Sequence, residues 1–167
     1  NDRGFILSKE VLWKELAKWI QAMPPAARVK FDWTQTHLRI VDRPQTWFAT
    51  ARTARRENPE ALAGFHADHI MAVADEASGI PDEVFDAAKG ILTSPNAWFI
   101  MISNPTRLIG YFHDTHFKEA MFPDWQRFQF SASESPVADK EYARQLIAEK
   151  GEDSDDYRIF ILGQFPS

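Results

Sequence analysis

The sequence predicts an α/β fold with a mostly parallel central sheet, and three stretches carry that expectation. Ile70 to Ala74 is an unbroken run, apolar at both parities, the pattern of a central strand covered on both faces. Pro81 to about Leu92 follows with Val84, Phe85, Ala88 and Ile91 or Leu92 at helical spacing, and Ala97 to Ile102 is a second two-sided apolar run. A strand, a crossover helix and a second strand form a right-handed parallel unit, so the two strands end on the same rim. Open α/β sheets bind their ligands beyond that rim.

Both strand ends are polar. The first closes in Asp75 and Glu76, and Ala77-Ser78-Gly79-Ile80-Pro81 then turns the chain into the helix, with Asp82 and Glu83 favourable in its first turn. In nucleotide hydrolases an Asp in this place holds a magnesium ion, usually through water, and a following Glu orients or deprotonates the attacking water. Strand alternation sends the two side chains to different sides, which lets them divide the work. The same residues also suit an ordinary strand end whose acids are solvated. The second run closes in Ser103-Asn104-Pro105-Thr106. Asn104 there suits a terminal phosphate or the attacking water, and Ser-Asn-Pro equally suits plain turn chemistry.

The chain has 167 residues, 44% of them hydrophobic and 13% aromatic, enough to bury a core as one domain spanning residues 1–167. A net charge of −5 gives no overall basic field for nucleic acid, which leaves only a local patch for that purpose. With no cysteine, disulfides, thiolate metal sites and a cysteine nucleophile are excluded, which fits a reducing cytosol. The apolar runs are too short to span a bilayer and Asn1-Asp2-Arg3 does not open a signal peptide, so a soluble protein is expected.

In chain order, Phe5-Ile6-Leu7 is a short apolar run that suits the end of a strand. A helix is expected from about Ser8 as N-cap to Ala22, stopped by Pro24-Pro25, with Trp13 and Trp19 packing the core. Arg28 to Trp33, Leu38 to Val41 and Trp47 to Ala51 read as short strands of a hairpin inserted beside the main sheet. The one dense basic cluster is Arg52-Thr53-Ala54-Arg55-Arg56, before a short helix from Pro59 to Ala63. Such a cluster is a solvated face, a nucleic-acid patch or the source of an arginine finger. His66 and His69 precede a strand and read as structural histidines. Arg107 to Met121 is weakly helical, Trp125 to Ala132 alternates as a strand, and Asp139 caps a helix ending at Lys150 before Gly151, with Tyr142, Leu146 and Ile147 inward. Tyr157 to Phe165 reads as a final strand.

Taken together, these residues resemble the large subunit of tailed-phage terminases. The matching stretches are Val11-Leu12-Trp13-Lys14-Glu15-Leu16, then Ala51-Arg52-Thr53 with Asn58 to Ala67, then Asp75 to Phe85. Ser103-Asn104-Pro105-Thr106 with Gly110-Tyr111-Phe112 follows, and Tyr157 to Pro166 closes the set. They cover nearly the whole chain in order.

The resemblance implies a three-layer, P-loop NTPase-like domain of the RecA-like, ASCE kind, represented by its larger, C-terminal part. It assigns Asp75 to the magnesium-coordinating acid motif and Glu76 to the catalytic glutamate. Ser103, Asn104 and Thr106 fall in the motif that senses phosphate and couples hydrolysis to movement, and Arg52, Arg55 and Arg56 are the candidates for an arginine finger. It implies Mg2+ and ATP as cofactors, and double-stranded DNA, a portal protein and a small terminase subunit as partners. It further implies a homo-oligomeric motor in the cytoplasm of a bacterial host, with no membrane role. One departure stands out: Gly-x-x-x-x-Gly-Lys-Ser/Thr, the backbone cradle and lysine for the β- and γ-phosphates, is absent from these residues. The family carries that loop upstream of the first helix and a ribonuclease-H-like nuclease domain downstream. This chain by itself is therefore expected to bind magnesium-ATP weakly. The alternatives are another ATP-driven nucleic-acid motor, such as a helicase, and a non-catalytic interaction domain that kept the fold.

Overall fold

The computed structural model describes residues 3–8, 11–52 and 64–167, with side chains described for 12–52 and 64–167. The chain divides into two compact units, residues 1–75 with 80–102 and residues 76–79 with 103–167.

The first unit is a six-stranded sheet in the order β2-β3-β4-β1-β5-β6. Its strands are β1 (Arg3–Ser8), β2 (Phe31–Trp33), β3 (His37–Ile40), β4 (Trp47–Arg52), β5 (His69–Asp75) and β6 (Asn96–Ile102). β4, β1, β5 and β6 run parallel, and β2 and β3 add an antiparallel hairpin at one edge. The short run around Phe5-Ile6-Leu7 is thus a central strand, hydrogen-bonded on both sides. The expected hairpin is not separate from the main sheet: β4 pairs antiparallel with β3 and parallel with β1, so it joins the two parts into one. Arg28 to Lys30 lies outside the strands, because Pro25 opens a helical turn, α2 (Pro25–Arg28), for which its fixed φ is suited.

Helix α1 (Val11–Ala22) buries Trp13 and Ile20. Trp13 packs with Ala49 and Ala51 of β4, and Leu16, Trp33 and Leu38 close around them. The Trp13 and Trp33 rings stack with centroids 5.9 Å apart, and Trp13 Nε1 donates to the Thr34 carbonyl at 3.2 Å. Trp19, expected inward, is 63% exposed. It lies six residues beyond Trp13, which at 100° per residue is most of a half-turn away from the buried stripe. Ser8 ends β1, and its expected capping contact and the residues that join it to Val11 lie outside the described residues.

β5 is buried or half-buried at every position, as its two-sided apolar pattern predicts. Ile70 and Ala72 pack against Ala88 and Ile91. Those come from α3 (Asp82–Ala88) and the 3-10 turn that continues it, Lys89–Thr93. The helix is shorter than its apolar spacing suggested and Pro81 is its N-cap. β6 departs further. Its burial alternates, leaving Trp98 and Ile102 at 66% and 50% exposed, because it is the edge strand and only the Ala97 and Phe99 side faces the core.

In the second unit α4 (Tyr111–Phe117) starts after Gly110, whose φ of 101° suits glycine alone. Tyr111 meets Phe122 and Trp125 edge-on, and Arg127 fixes the following segment by donating to the carbonyls of Thr115, Trp125 and Phe122. α5 (Lys140–Lys150) is capped as expected, with Asp139 Oδ1 accepting from the Glu141 amide at 2.8 Å and Gly151 ending it. Of its apolar residues Leu146 is buried, while Tyr142 and Ile147, expected inward, are 47% and 37% exposed.

Two expected strands are absent from the described residues. Trp125 to Ala132 has the alternation but no partner strand; it is irregular, with Phe128 and Phe130 exposed. Tyr157 to Phe165 is helical at its start: α6 (Asp155–Tyr157) passes into a π-helical turn, Arg158–Leu162. Ser154 caps it by accepting from the Tyr157 amide, and Gly163 ends it at φ 62°. Tyr157 and Ile161, four apart, bury together with Leu146, the spacing of a helix and not of a strand.

Candidate nucleotide-hydrolysis site

The parallel strands deliver their carboxyl ends to one rim of the sheet. β5 and β6 end level, Asp75 being paired with Ile102, so Glu76 and Ser103 are the next residues out of the two strands. Asp75 is half-buried and Glu76 exposed. Glu76 has φ 54°, the one positive value at a non-glycine among the described residues. Such a backbone costs about 1–2 kcal/mol in an L-residue and signals that the surrounding structure holds it there. What holds it is a 3-10 turn, Ala77–Gly79, in which the Gly79 amide donates to the Glu76 carbonyl at 2.9 Å and Ala77 and Ser78 are buried.

Within the second unit this turn is tied to the Ser103–Thr106 segment. The Ser78 amide donates to Ser103 Oγ at 3.0 Å, and Thr106 Oγ1 donates to Ser78 Oγ at 3.1 Å. Ser103 Oγ and the Thr106 amide both donate to the Asn104 carbonyl at 2.9 Å. Pro105, between them in sequence, is buried at the centre of the tight turn that the Thr106 amide closes on the Asn104 carbonyl, while Asn104 is exposed. Ser103, Asn104 and Thr106 are the residues the sequence points to, whereas Ser78 reads there as a turn residue.

Arg52 ends β4. Ile6 of β1 pairs with both Thr50 and Ala72, so Arg52, two residues on, stands level with Ala74 and about 10 Å across the rim, two strand spacings away. Its guanidinium lies over the Phe65 ring at 5.7 Å. Arg55, Arg56 and the expected helix from Pro59 to Ala63 fall outside the described residues. A cleft of about 370 Å³ lies elsewhere, on the hairpin edge, lined by His37, Arg39, Pro44, Gln45 and Phe48. Burial, then the charges of Arg39 and Arg52, push the His37 pKa down. No cluster of three or more His, Asp or Glu side chains that could cage a metal occurs among the described residues.

An alignment 162 residues long, which covers 89% of this chain, gives 35% identity with the probable terminase large subunit of Enterobacteria phage P7. It is a homologue of part of the phage terminase large subunit. The alignment takes in 33% of that relative, so the chain spans about a third of its length. No family model matches the chain. The fold agrees with the large terminase of a thermophilic bacteriophage at a TM-score of 0.69 and 13% identity, over 99% of this chain and 41% of that one. It also agrees with the large terminase ATPase domain of Thermus phage P74-26, at 0.58 and 16% identity, over 98% of this chain and 76% of that domain. The fold is therefore one shared with these large terminases, mixed α/β with a largely parallel sheet, as the sequence implied. Another structure of the first neighbour, at a TM-score of 0.69 and 15% identity, is a complex with ADP. Among the described residues no helix is long and apolar enough to cross a membrane.

Proposed function

We propose that this segment supplies the hydrolytic acids and the coupling segment of an ATP-driven motor that packages double-stranded DNA. The observation that carries the reading is the joining of the turn after Glu76 to Ser103 and Thr106 by hydrogen bonds at 3.0 and 3.1 Å. An ordinary solvated strand end would not need a strained glutamate fastened to a second polar motif.

Glu76 is the general base: it accepts the proton of the water that attacks the terminal phosphate, and its exposure leaves it open to that water. Asp75 fits magnesium. This ion keeps several waters and takes one or two carboxylates plus substrate phosphates, so the half-buried carboxylate at this strand end suits it without a cage made by the protein alone. Bound there, magnesium would neutralise charge developing on the β- and γ-phosphate oxygens. Asn104, exposed beside the turn of Ser103 and Thr106, hydrogen-bonds the departing phosphate. Arg52, with Arg55 and Arg56, is a candidate to complete the site of a neighbouring copy in a homo-oligomeric ring, as an arginine finger. The phosphate cradle comes from another part of the longer protein, as in the family. By the same homology, DNA, a portal protein and a small terminase subunit are the partners, and the host cytoplasm is the place of work.

In the longer protein, Asp75→Asn tests the reading. It weakens the hold on magnesium, so the KM for ATP rises and added magnesium partly restores turnover. Normal turnover and KM at limiting magnesium would favour a non-catalytic domain that kept the fold.

A further inference from the structure

Ser78 is 7% exposed and sits two residues past Glu76, inside the turn that holds the glutamate at φ 54°. Its partners are remote in sequence, 25 and 28 residues on, yet both polar atoms of Ser78 outside its carbonyl are used on that one segment. The result is a closed circuit. The Ser78 amide donates to Ser103 Oγ, Ser103 Oγ to the Asn104 carbonyl, the Thr106 amide to the same carbonyl, and Thr106 Oγ1 back to Ser78 Oγ. Of these groups Ser78 is the buried one, and a buried polar group loses more by an unmade bond than it gains by a made one, so the circuit resists opening at Ser78. A displacement of Ser103–Thr106 then moves Ser78, and the short 3-10 turn transmits the movement to the backbone of Glu76.

We propose that Ser78 is the positioning residue through which the Ser103–Thr106 segment sets the aim of the Glu76 carboxylate. This rests on the reading of Glu76 as the base. Ser78 touches no reacting atom; it acts through the turn. Thr106 is exposed and closes the circuit with its hydroxyl, so its hydroxyl can be removed isosterically without opening the core.

The test is steady-state ATP hydrolysis by the longer terminase protein carrying Ser78→Ala, Thr106→Val, both together, Thr106→Ser or Glu76→Gln. Misaiming a base by a fraction of an ångström costs roughly tenfold in kcat or more. The expected result is therefore a kcat about tenfold lower in each of the first two variants, with KM for ATP within about twofold. The double variant falls no further, because both changes open the same circuit, and Thr106→Ser, which keeps the hydroxyl, is clearly less impaired than Thr106→Val. With Glu76→Gln inactive, a wild-type kcat in Ser78→Ala overturns the positioning role and leaves the hydrolytic reading standing. Losses that multiply in the double variant, or a Thr106→Ser as impaired as Thr106→Val, overturn it as well. Wild-type turnover in Glu76→Gln removes the hydrolytic reading and the role of Ser78 with it.

Discussion

The Gly79 amide closes a turn on the carbonyl of Glu76 at 2.9 Å, and the glutamate inside that turn is held at φ 54°. Glu76→Gly and Glu76→Ala both delete the side chain, but only glycine accepts the left-handed backbone without a Cβ penalty. Glu76→Gly is expected to be more stable than Glu76→Ala by about 1 kcal/mol in denaturant unfolding. Equal stabilities would mean that the turn relaxes once the side chain is gone.

At the end of the chain a Cβ on Gly163 would lie 2.5 Å from the Phe130 carbonyl oxygen, in a residue already at φ 62°. Gly163→Ala therefore combines backbone strain with a backbone clash and should cost about 2–4 kcal/mol. Gly90→Ala is the control: its added Cβ meets nothing within 4 Å and its φ is ordinary, so it should be neutral within about 0.5 kcal/mol.

The stacked tryptophans differ in one atom. Trp13 Nε1 reaches the Thr34 carbonyl, whereas Trp33 Nε1 is buried without a hydrogen-bond partner among the described residues. Trp13→Phe loses a bond and ring volume, and should cost about 2–3 kcal/mol. Trp33→Phe removes an orphaned donor, which offsets the lost packing, and should cost at least about 1 kcal/mol less. Chemical denaturation of both variants measures the difference.

Asp114 on α4 is bonded to Lys118 at 2.7 Å and lies 3.3 Å from His113 Nδ1. The Lys118 hydrogen bond, followed by that of His113, outweighs partial burial and lowers its pKa. A lowered folded-state value means that the carboxylate contributes stability above its unfolded pKa of about 4, and loses it as pH falls through the lower folded value. With a side chain still 26% exposed, the contribution is about 0.5–1 kcal/mol after screening. Asp114→Asn should therefore be less stable than wild type by that amount at about pH 7, with the gap closing as pH falls below the usual carboxylate range.

The strand ends were legible because they combine an apolar run with abrupt polarity: Ile70 to Glu76 and Ala97 to Thr106 show it without any partner being known. What surrounds them was not. The covered or open state of β6 depends on its position in the sheet, which Trp98 and Ile102 do not encode. Trp125 to Ala132 alternates like a strand, yet among the described residues no strand lies beside it to complete a ladder. At Tyr157–Phe165 the helix signals were present, Ser154 as a cap and Gly163 as a stop, and the β-branched Ile159 and Ile161 obscured them. Ser78 could not be distinguished from a turn residue, since its significance comes from hydroxyls 25 and 28 residues away.

The central claim is that Glu76 is the base of an ATP hydrolysis reaction, and the most direct measurement is single-turnover hydrolysis by the longer terminase protein carrying Glu76→Gln. Glutamine keeps size and hydrogen bonding but cannot take the proton, so the rate should fall by roughly two to four orders of magnitude while ATP still binds and extra magnesium gives no rescue. A folded Glu76→Gln protein that hydrolyses ATP at the wild-type rate would contradict the account.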